Sequence, residues 1–226
     1  MKESESRVVC FIPTKVESVG VVRKAGRLLL VRTGVGKDQA VATAAHVFES
    51  YRVGEVLVAG FGGGTRPDVE AADLVACDHV IGLCEGRDPP PRVSSSPALL
   101  RRALDSGMVS MVAPAVTVDH IAASSAENMA LGEKHGAAIV EMEGFPLLDE
   151  SKRREIPGLM VRVVMDPVDE DLSHWTQLFA ESKEPRRKAW IIHLAAHPTQ
   201  MGSFMRLVKR ALTCRRILKR FLERYL

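Results

Sequence analysis

The sequence predicts an α/β domain with a largely parallel sheet, followed by a basic amphipathic helix. Short apolar runs rich in β-branched residues alternate with helix-like segments, which is the pattern of strands joined by helical crossovers. Beyond Pro198 this pattern gives way to one long run with helical spacing and many Arg and Lys residues. At 226 residues and 46% hydrophobic content, the chain can bury one sizeable core.

Seven apolar runs are predicted as strands, at residues 8–12, 28–33, 55–60, 73–80, 108–116, 137–141 and 159–165. Helices are expected between them. Residues 38–51 follow a glycine turn, and Ser124 with Glu127 has the spacing of a capping box that opens a further helix. The Pro- and Ser-rich residues 87–96 are predicted to form an exposed loop.

The C-terminal segment differs sharply in charge from the rest of the chain. Residues 186–226 contain eleven Lys and Arg against the single acid Glu223, whereas residues 1–185 carry a net charge of −7. We therefore divide the chain into one folded domain, 1–185, and a basic helical tail, 186–226. The charge suggests an anionic partner such as a membrane surface, and nucleic acid is not expected because aromatic interleaving is absent. The alternative is a helix that packs on the body or on a second subunit.

The sequence also indicates where the protein resides and whether it binds a metal or forms disulfides. No run of eighteen apolar residues exists and the N-terminus is charged, so we expect a cytoplasmic protein without a membrane span. His193 and His197 have metal-compatible spacing, but no third ligand is indicated, so surface histidines are expected and no metal site. Four cysteines without a C-x-x-C pair indicate reduced, buried thiols: Cys10, Cys77, Cys84 and Cys214.

Two glycine turns resemble nucleotide-binding motifs only superficially. Residues 33–37 (TGVGK) lack the first P-loop glycine, since Val31 stands there, and Asp38 replaces the magnesium-binding hydroxyl. Residues 60–64 (GFGGG) follow a strand but are succeeded by Pro67, so they do not open a helix. Both turns nevertheless offer backbone N–H groups and close approach to a ligand.

Carboxylates follow several of the predicted strands. Glu141 and Glu143 would share one face of an extended chain, with Met142 on the other, which suggests a site for hydroxyl groups or proton transfer. The same pattern is compatible with a strand that simply ends in solvent. Asp166 is either a helix N-cap or a functional group at the sheet edge, and Glu17 by itself is typical of a solvated helix start.

Taken in order, these motifs resemble those of the purine nucleoside phosphorylase and nucleosidase superfamily. The resemblance rests on Glu17, on residues 33–37, on residues 58–64 with Asp73 following, on residues 140–143 and on residues 162–166. It implies a single-domain, three-layer α/β/α fold with a mostly parallel mixed sheet. The stretch that the family usually carries between its first helix and the GxGK turn is missing.

A closer resemblance is to the hopanoid-associated branch of that superfamily. It rests on residues 123–131 (ASSAENMAL), 166–172 (DPVDEDL) and 197–207 (HPTQMGSFMRL). This similarity implies release of adenine from adenosylhopane, a lipid whose side chain ends in adenosine. The basic helix would then hold the cytoplasmic protein at the inner face of the membrane, where such a substrate resides.

The resemblance also implies roles for individual residues. Cleavage of a purine N-glycosidic bond needs an acid at N7 and a carboxylate near the ribose hydroxyls. The implied roles are Asp166 as the acid, Glu143 binding the 2′- and 3′-hydroxyls, Met142 packing on the nucleoside, and Gly60, Phe61 and Gly62 binding the substrate. Glu141 is expected to support the structure.

The attacking group is water or phosphate. In the hydrolytic branches a glutamate at the position of Glu17 activates water, whereas phosphorolytic branches place an arginine where this chain has Val58. Hydrolysis is therefore favoured, although the turn at Gly34 and Gly36 could still accept inorganic phosphate as co-substrate. No other cofactor is expected, and the family commonly forms homo-oligomers.

One departure from the family leaves other functions open. Met165 stands where the family usually has Ser or Thr before the aspartate, which removes a hydrogen bond to that carboxylate. The alternatives are a nucleosidase or phosphorylase for a soluble nucleoside, such as methylthioadenosine, S-adenosylhomocysteine or futalosine, and a nucleoside- or lipid-binding protein with impaired catalysis.

Overall fold

The computed structural model describes residues 6–18, 28–83, 87–122, 124–169 and 201–226. Within these ranges the strands are β1 (Arg7–Ile12), β2 (Leu28–Arg32), β3 (Val53–Gly64), β4 (Leu74–Gly82), β5 (Arg92–Ser94), β6 (Met111–Thr117), β7 (Ile139–Glu141) and β8 (Gly158–Asp166). The helices are α1 (Lys15–Ser18), α2 (Lys37–Ser50), α3 (Pro97–Asp105), α4 (Ser125–His135), α5 (Gly144–Arg153) and α6 (Met201–Tyr225).

All eight strands belong to one mixed sheet with the order β2-β1-β3-β7-β6-β4-β5, and β8 pairs with both β3 and β4. The pairs β1–β2, β1–β3, β3–β8, β4–β6 and β6–β7 are parallel, whereas β3–β7, β4–β5 and β4–β8 are antiparallel. Strands β3, β8, β4, β6 and β7 therefore pair in a closed circuit. This closure is a feature that the sequence did not predict.

Side chains that alternate along the strands form an apolar core on each face of the sheet. Val9 and Phe11 of β1 belong to the cluster covered by α2 and α5, whereas Cys10 and Ile12 belong to the cluster covered by α3 and α6. Helices thus lie on both faces. The predicted α/β class, with a mixed and mostly parallel sheet and a C-terminal helix, is confirmed.

Most predicted elements form near their expected bounds, and the capping box is observed directly. Ser124 is the N-cap of α4 and its Oγ accepts a hydrogen bond from Glu127 N at 3.2 Å. The predicted loop at 87–96 is partly wrong, because β5 forms there and pairs with β4. The helices α3 and α5 had not been delimited from the sequence.

Helix α6 is an integral layer of the domain. One face is buried in the core, with Leu207, Cys214, Leu218, Phe221, Leu222 and Tyr225 all under 9% exposed. The opposite face is exposed and carries most of the basic residues. Within the described ranges, no helix is both long and apolar enough to cross a membrane. The His193–His197 pair and residues 198–200 lie outside the described residues.

Candidate active site

A single arginine lies at the centre of the site. Arg162, in the middle of β8, is completely buried, and its Nη2 donates a hydrogen bond to Glu141 Oε2 and lies 3.7 Å from Glu143 Oε2. Its Nη1 and Nε have no hydrogen-bond partner. Because guanidinium stays charged, this group fixes a positive charge inside the sheet.

The glycine opposite Arg162 makes room for the guanidinium. Gly60 of β3 pairs with Arg162 in register. A Cβ added to Gly60 would lie 2.7 Å from Glu17 Oε1 and closer still to Arg162 Nη1. Arg162 Nη1 and Glu17 Oε1 therefore both pack closely against the bare backbone of Gly60. No space is left for a side chain at position 60.

Glu17 lies in α1, just after β1, and its carboxylate is held by hydrogen bonds. Its Oε2 accepts hydrogen bonds from Thr14 N at 2.7 Å and Thr14 Oγ1 at 2.5 Å, and its Oε1 accepts one from Phe61 N at 2.7 Å. Burial raises the pKa of Glu17, while these hydrogen bonds and Arg162 oppose the rise. The interpretation of Glu17 as a solvated helix-start acid is therefore wrong, because the side chain is buried.

Glu141 and Glu143 have different environments although both are buried. Glu141 accepts hydrogen bonds from Thr117 Oγ1 and Arg162 and from two backbone N–H groups, those of Glu143 at 2.9 Å and Gly144 at 2.7 Å. Its oxygens are thus committed to holding the turn between β7 and α5. This is the supporting role expected of it.

Glu143 has more freedom to meet a ligand. Its Oε1 accepts a hydrogen bond from Gly36 N at 2.8 Å. Burial raises the pKa of Glu143 to about 7, against the opposing effect of Arg162. The reading in which this strand ends in solvent is wrong, since both carboxylates are inside the protein.

Asp166 is the last residue of β8 and lies against the glycines of β3. A Cβ added to Gly63 would lie 2.7 Å from Asp166 Oδ2, so glycine is needed for the carboxylate to fit. Burial raises the pKa of Asp166 to about 7, and the charge of Arg210 in α6 opposes this. The helix that Asp166 could have capped falls outside the described residues.

The remaining predicted site residues lie around the carboxylates and Arg162. Gly34 and Gly36 have positive φ angles of +80° and +95°, and the N–H of Gly36 is the one bound by Glu143. Phe61 contributes its N–H to Glu17. Gly62 leaves space for Ile139 of β7 and for the Arg162 side chain. Met142 is half-buried and packs against an apolar cluster beside β6 and β7, so its contact with a nucleoside stays a prediction.

Some supporting residues were missed by the sequence reasoning. Arg162 is the polar residue inside an otherwise apolar strand, and this is the signal that could have identified it. Thr14 and Thr117 follow β1 and end β6, respectively, and nothing in their local sequence distinguishes them. Arg210 lies in the segment interpreted as a separate tail.

The fold and these groups together define a class of protein. A mixed α/β sheet that brings three buried carboxylates and one arginine to glycine-lined strand ends has the groups for acid–base cleavage of a hydroxyl-bearing substrate. Residues 11–193 match the family model of the Phosphorylase superfamily, and the chain therefore belongs to this family. The predicted enzyme class, a purine nucleosidase or nucleoside phosphorylase, is confirmed at this level.

Solved structures with the same fold include nucleosidases from several bacteria. The 5′-methylthioadenosine/S-adenosylhomocysteine nucleosidase of Neisseria meningitidis is 15% identical, with a TM-score of 0.73 over 97% of this chain and 98% of that one. The futalosine hydrolase of Helicobacter pylori is 15% identical, with a TM-score of 0.71 over 96% and 97%. The Campylobacter jejuni methylthioadenosine nucleosidase is 17% identical, with a TM-score of 0.67 over 74% and 89%. No curated protein sequence matches the chain.

Proposed function

We propose that this protein hydrolyses the N-glycosidic bond of a purine nucleoside. In this mechanism Asp166 donates a proton to N7 of the leaving base, and Glu143 accepts hydrogen bonds from the ribose 2′- and 3′-hydroxyls. Glu17 takes a proton from the water that attacks the sugar carbon. The bond between base and sugar breaks, the base leaves protonated, and the sugar gains the hydroxyl of the water.

The observation that carries this proposal is the placement of Glu17 Oε1 and Arg162 Nη1 side by side against the bare backbone of Gly60. A buried guanidinium N–H without a partner, next to a buried carboxylate, provides one donor and one acceptor for a small polar molecule. In the proposed reaction a water bound by both groups donates a hydrogen bond to Glu17 and accepts one from Arg162.

The charge around these two groups favours water over phosphate. Among the described residues, Glu17, Glu141 and Glu143 surround one cation, Arg162, so the ionised cluster is negative and a phosphate dianion would be repelled. The N–H of Gly36, which could have bound phosphate, is donated to Glu143 instead. These contacts support hydrolysis as the proposed reaction.

The environment of Asp166 supports a role as an acid. A carboxyl with a pKa of about 7 still carries its proton in about half of the molecules at neutral pH and can transfer it to a base nitrogen. Met165 supplies no hydroxyl to stabilise the ionised form, and this is consistent with the raised pKa. Position 165 therefore does not by itself argue for an inactive protein.

For the substrate we propose adenosylhopane, in hopanoid lipid biosynthesis. The support is the resemblance of residues 123–131, 166–172 and 197–207 to the hopanoid-associated branch. The alternative substrate is a soluble nucleoside, and the fold shared with methylthioadenosine and futalosine nucleosidases favours it.

We further propose that the basic face of α6 attracts the protein to an anionic membrane surface. Because the apolar face of α6 is buried in the core, it is not available for insertion, and only the outward face remains. This face carries the exposed residues Arg206, Lys209, Arg216, Arg220 and Arg224. Cationic side chains of this kind contribute on the order of 1 kcal/mol each near an anionic surface.

The test of the proposed function is release of adenine from detergent-dispersed adenosylhopane, with and without phosphate. Wild type is compared with Asp166→Asn and with Asp105→Asn, which alters an exposed aspartate on α3. We expect release that does not require phosphate, that persists in Asp105→Asn and that is lost in Asp166→Asn.

The other outcomes are equally informative. Release that depends on phosphate would replace hydrolysis by phosphorolysis. Cleavage of 5′-methylthioadenosine without cleavage of adenosylhopane would keep the chemistry and reject the lipid substrate. Binding of adenosine without release from either nucleoside would reject the enzyme mechanism.

A further inference from the structure

The strand that carries Asp166 contains a bulge directly before it. The pairing of β8 with β3 runs from Val56↔Gly158 to Gly62↔Val164 and then shifts, so that Gly63 pairs with Asp166. Met165 is left as an extra residue without a partner on β3. Such a bulge changes the direction of the side chains that follow it. The orientation of Asp166 therefore depends on how the bulge is held.

Helix α6 contacts the backbone of this bulge. Arg210 Nη1 donates a hydrogen bond to Met165 O at 3.2 Å, and Cys214 Sγ donates one to Val164 O at 3.3 Å. On its other side the bulge is attached to the loop before β4, since Ala72 N donates to Val164 O at 2.8 Å. The bulged carbonyl of Met165, which has left the strand pairing, is thus bound by an arginine from a distant part of the chain.

The same arginine acts electrostatically on Asp166. Burial raises the pKa of the Asp166 carboxyl, and the positive charge of Arg210 lowers it. The titratable groups that face it from α6 are Arg210 and Cys214. The facing part of β3, residues 62–64, is glycine, and Asp73 before β4 contributes its carbonyl to Val164 N at 2.9 Å. Arg210 is therefore the cation that the structure brings to this carboxylate.

We propose that Arg210 is a positioning residue for Asp166: it binds the bulged carbonyl of Met165 and thereby aims the acid at the substrate. This inference rests on the proposed function, because it assumes that Asp166 is the catalytic acid. It makes α6 part of the active-site support, rather than a tail that is separable from the catalytic domain. Cys214 assists from one turn further along the helix.

The test compares Arg210→Met and Arg210→Lys with Arg101→Met, which alters an exposed arginine on α3. Turnover of a nucleoside that the wild type cleaves is measured over a range of pH, together with thermal unfolding. Because small displacements of catalytic groups are costly, kcat should fall about tenfold to a hundredfold in Arg210→Met with little change in KM. Arg210→Lys should recover part of this loss, and Arg101→Met should resemble the wild type.

The decline of activity at alkaline pH provides a second measurement. Removal of a nearby positive charge should raise the pKa of Asp166, so the decline in activity should move to higher pH in Arg210→Met. An unchanged limb with unchanged kcat in a folded variant would overturn the inference.

A readout without turnover separates this inference from the proposed function. The carboxyl carbon of Asp166 is titrated by NMR in ¹³C-aspartate-labelled wild type and Arg210→Met, with Asp166→Asn providing the assignment. A shifted titration supports the inference even if no nucleoside is cleaved. Identical titrations and identical Met165 amide shifts would reject it, whatever the activity.

Discussion

At the scale of single residues, the site depends on one arginine that holds three acids together. Isolated buried carboxylates are costly, and three of them in one cluster would repel each other strongly. Arg162 offsets part of this cost for Glu141, Glu143 and Glu17 at once. Since one cation cannot fully neutralise three acids, a proton is retained on some of them near neutral pH, which is the condition that acid–base chemistry requires.

This balance predicts the pH dependence of catalysis. Asp166, with a pKa of about 7, must carry its proton, so activity should decline as pH rises above that value. Glu143, also with a pKa of about 7, and Glu17, with a raised pKa, must be ionised, so activity should decline as pH falls. The profile of kcat/KM should therefore be bell-shaped with its maximum near pH 7, and it is measured by initial rates from pH 5 to pH 9.

The acidic and alkaline limbs of this pH profile report pKa values of the coupled cluster rather than of single residues. Circular dichroism over the same pH range provides the control for unfolding. A flat profile from pH 5 to pH 9 in a folded protein would contradict the assignment of Asp166 as the acid.

Residue types at strand ends were predictable from the sequence, whereas their partners were not. Glu17, Glu143 and Asp166 each follow an apolar run, and motif order was enough to select them. Arg162 was not selected, because an arginine inside a strand has no local signature for what it will contact. Its role follows from the pairing of β8 with Gly60 and from the turn that Glu141 holds, and both are properties of the tertiary structure.

At the scale of elements, the strand ends are shaped by glycines. The sequence predicted that β3 ends at residue 60, because glycine disfavours strands. The strand instead continues to Gly64, since β8 and β7 pair with it along this length and their side chains occupy the space above the glycines. Local propensity was overridden by the pairing of strands that are distant in sequence.

A pair of glycine substitutions tests whether the strand ends need glycine where other side chains pack against them. Gly60→Ala should abolish nucleoside cleavage and lower Tm, because the new methyl would collide with Glu17 and the Arg162 guanidinium. Gly202→Ala, on α6 with no atom within 4 Å of the added methyl, should be neutral or stabilising by up to about 1 kcal/mol. Both variants are measured by differential scanning calorimetry and by adenine release. An active Gly60→Ala would show that the placement of Glu17 and Arg162 against Gly60 is not needed for catalysis.

Helix α6 offers a second prediction at this scale. If it is a layer of the core, Leu218→Ala should lower the free energy of unfolding by about 2–5 kcal/mol, since Leu218 is completely buried. Leu212→Ala, on the exposed side at 36% exposure, should change it by less than about 0.5 kcal/mol. Urea unfolding followed by fluorescence measures both, and equal effects would mean that α6 does not pack on the body in solution.

At the scale of the whole molecule, two properties come from the same helix. The helical spacing and the charge of the C-terminal segment were correctly read from the sequence. The orientation of the helix could not be read from it, because an amphipathic helix can bury its apolar face in a membrane or in its own protein. In the structure the apolar face of α6 is buried in the core, and most of the cations face outward.

The location of charge therefore predicts membrane binding of a purely electrostatic kind. Wild type should bind vesicles that contain anionic lipid, should bind neutral vesicles weakly, and should dissociate from the anionic ones as salt screens the attraction. Charge reversal of Lys209, Arg216 and Arg220 to Glu should lower the partition coefficient about a hundredfold or more, since each cation contributes on the order of 1 kcal/mol. Vesicle flotation at low and high salt measures the coefficient.

The control reverses the same number of charges elsewhere, at the exposed residues Arg92, Arg101 and Lys152 on β5, α3 and α5. Both triple variants have the same net charge, so only the position of the cations differs. Equal loss of binding in the two variants would mean that overall charge, and not the face of α6, attracts the protein. Binding that persists in high salt would require apolar insertion, which α6 could provide only by leaving the core, and the Leu218→Ala variant would then bind vesicles more tightly than wild type.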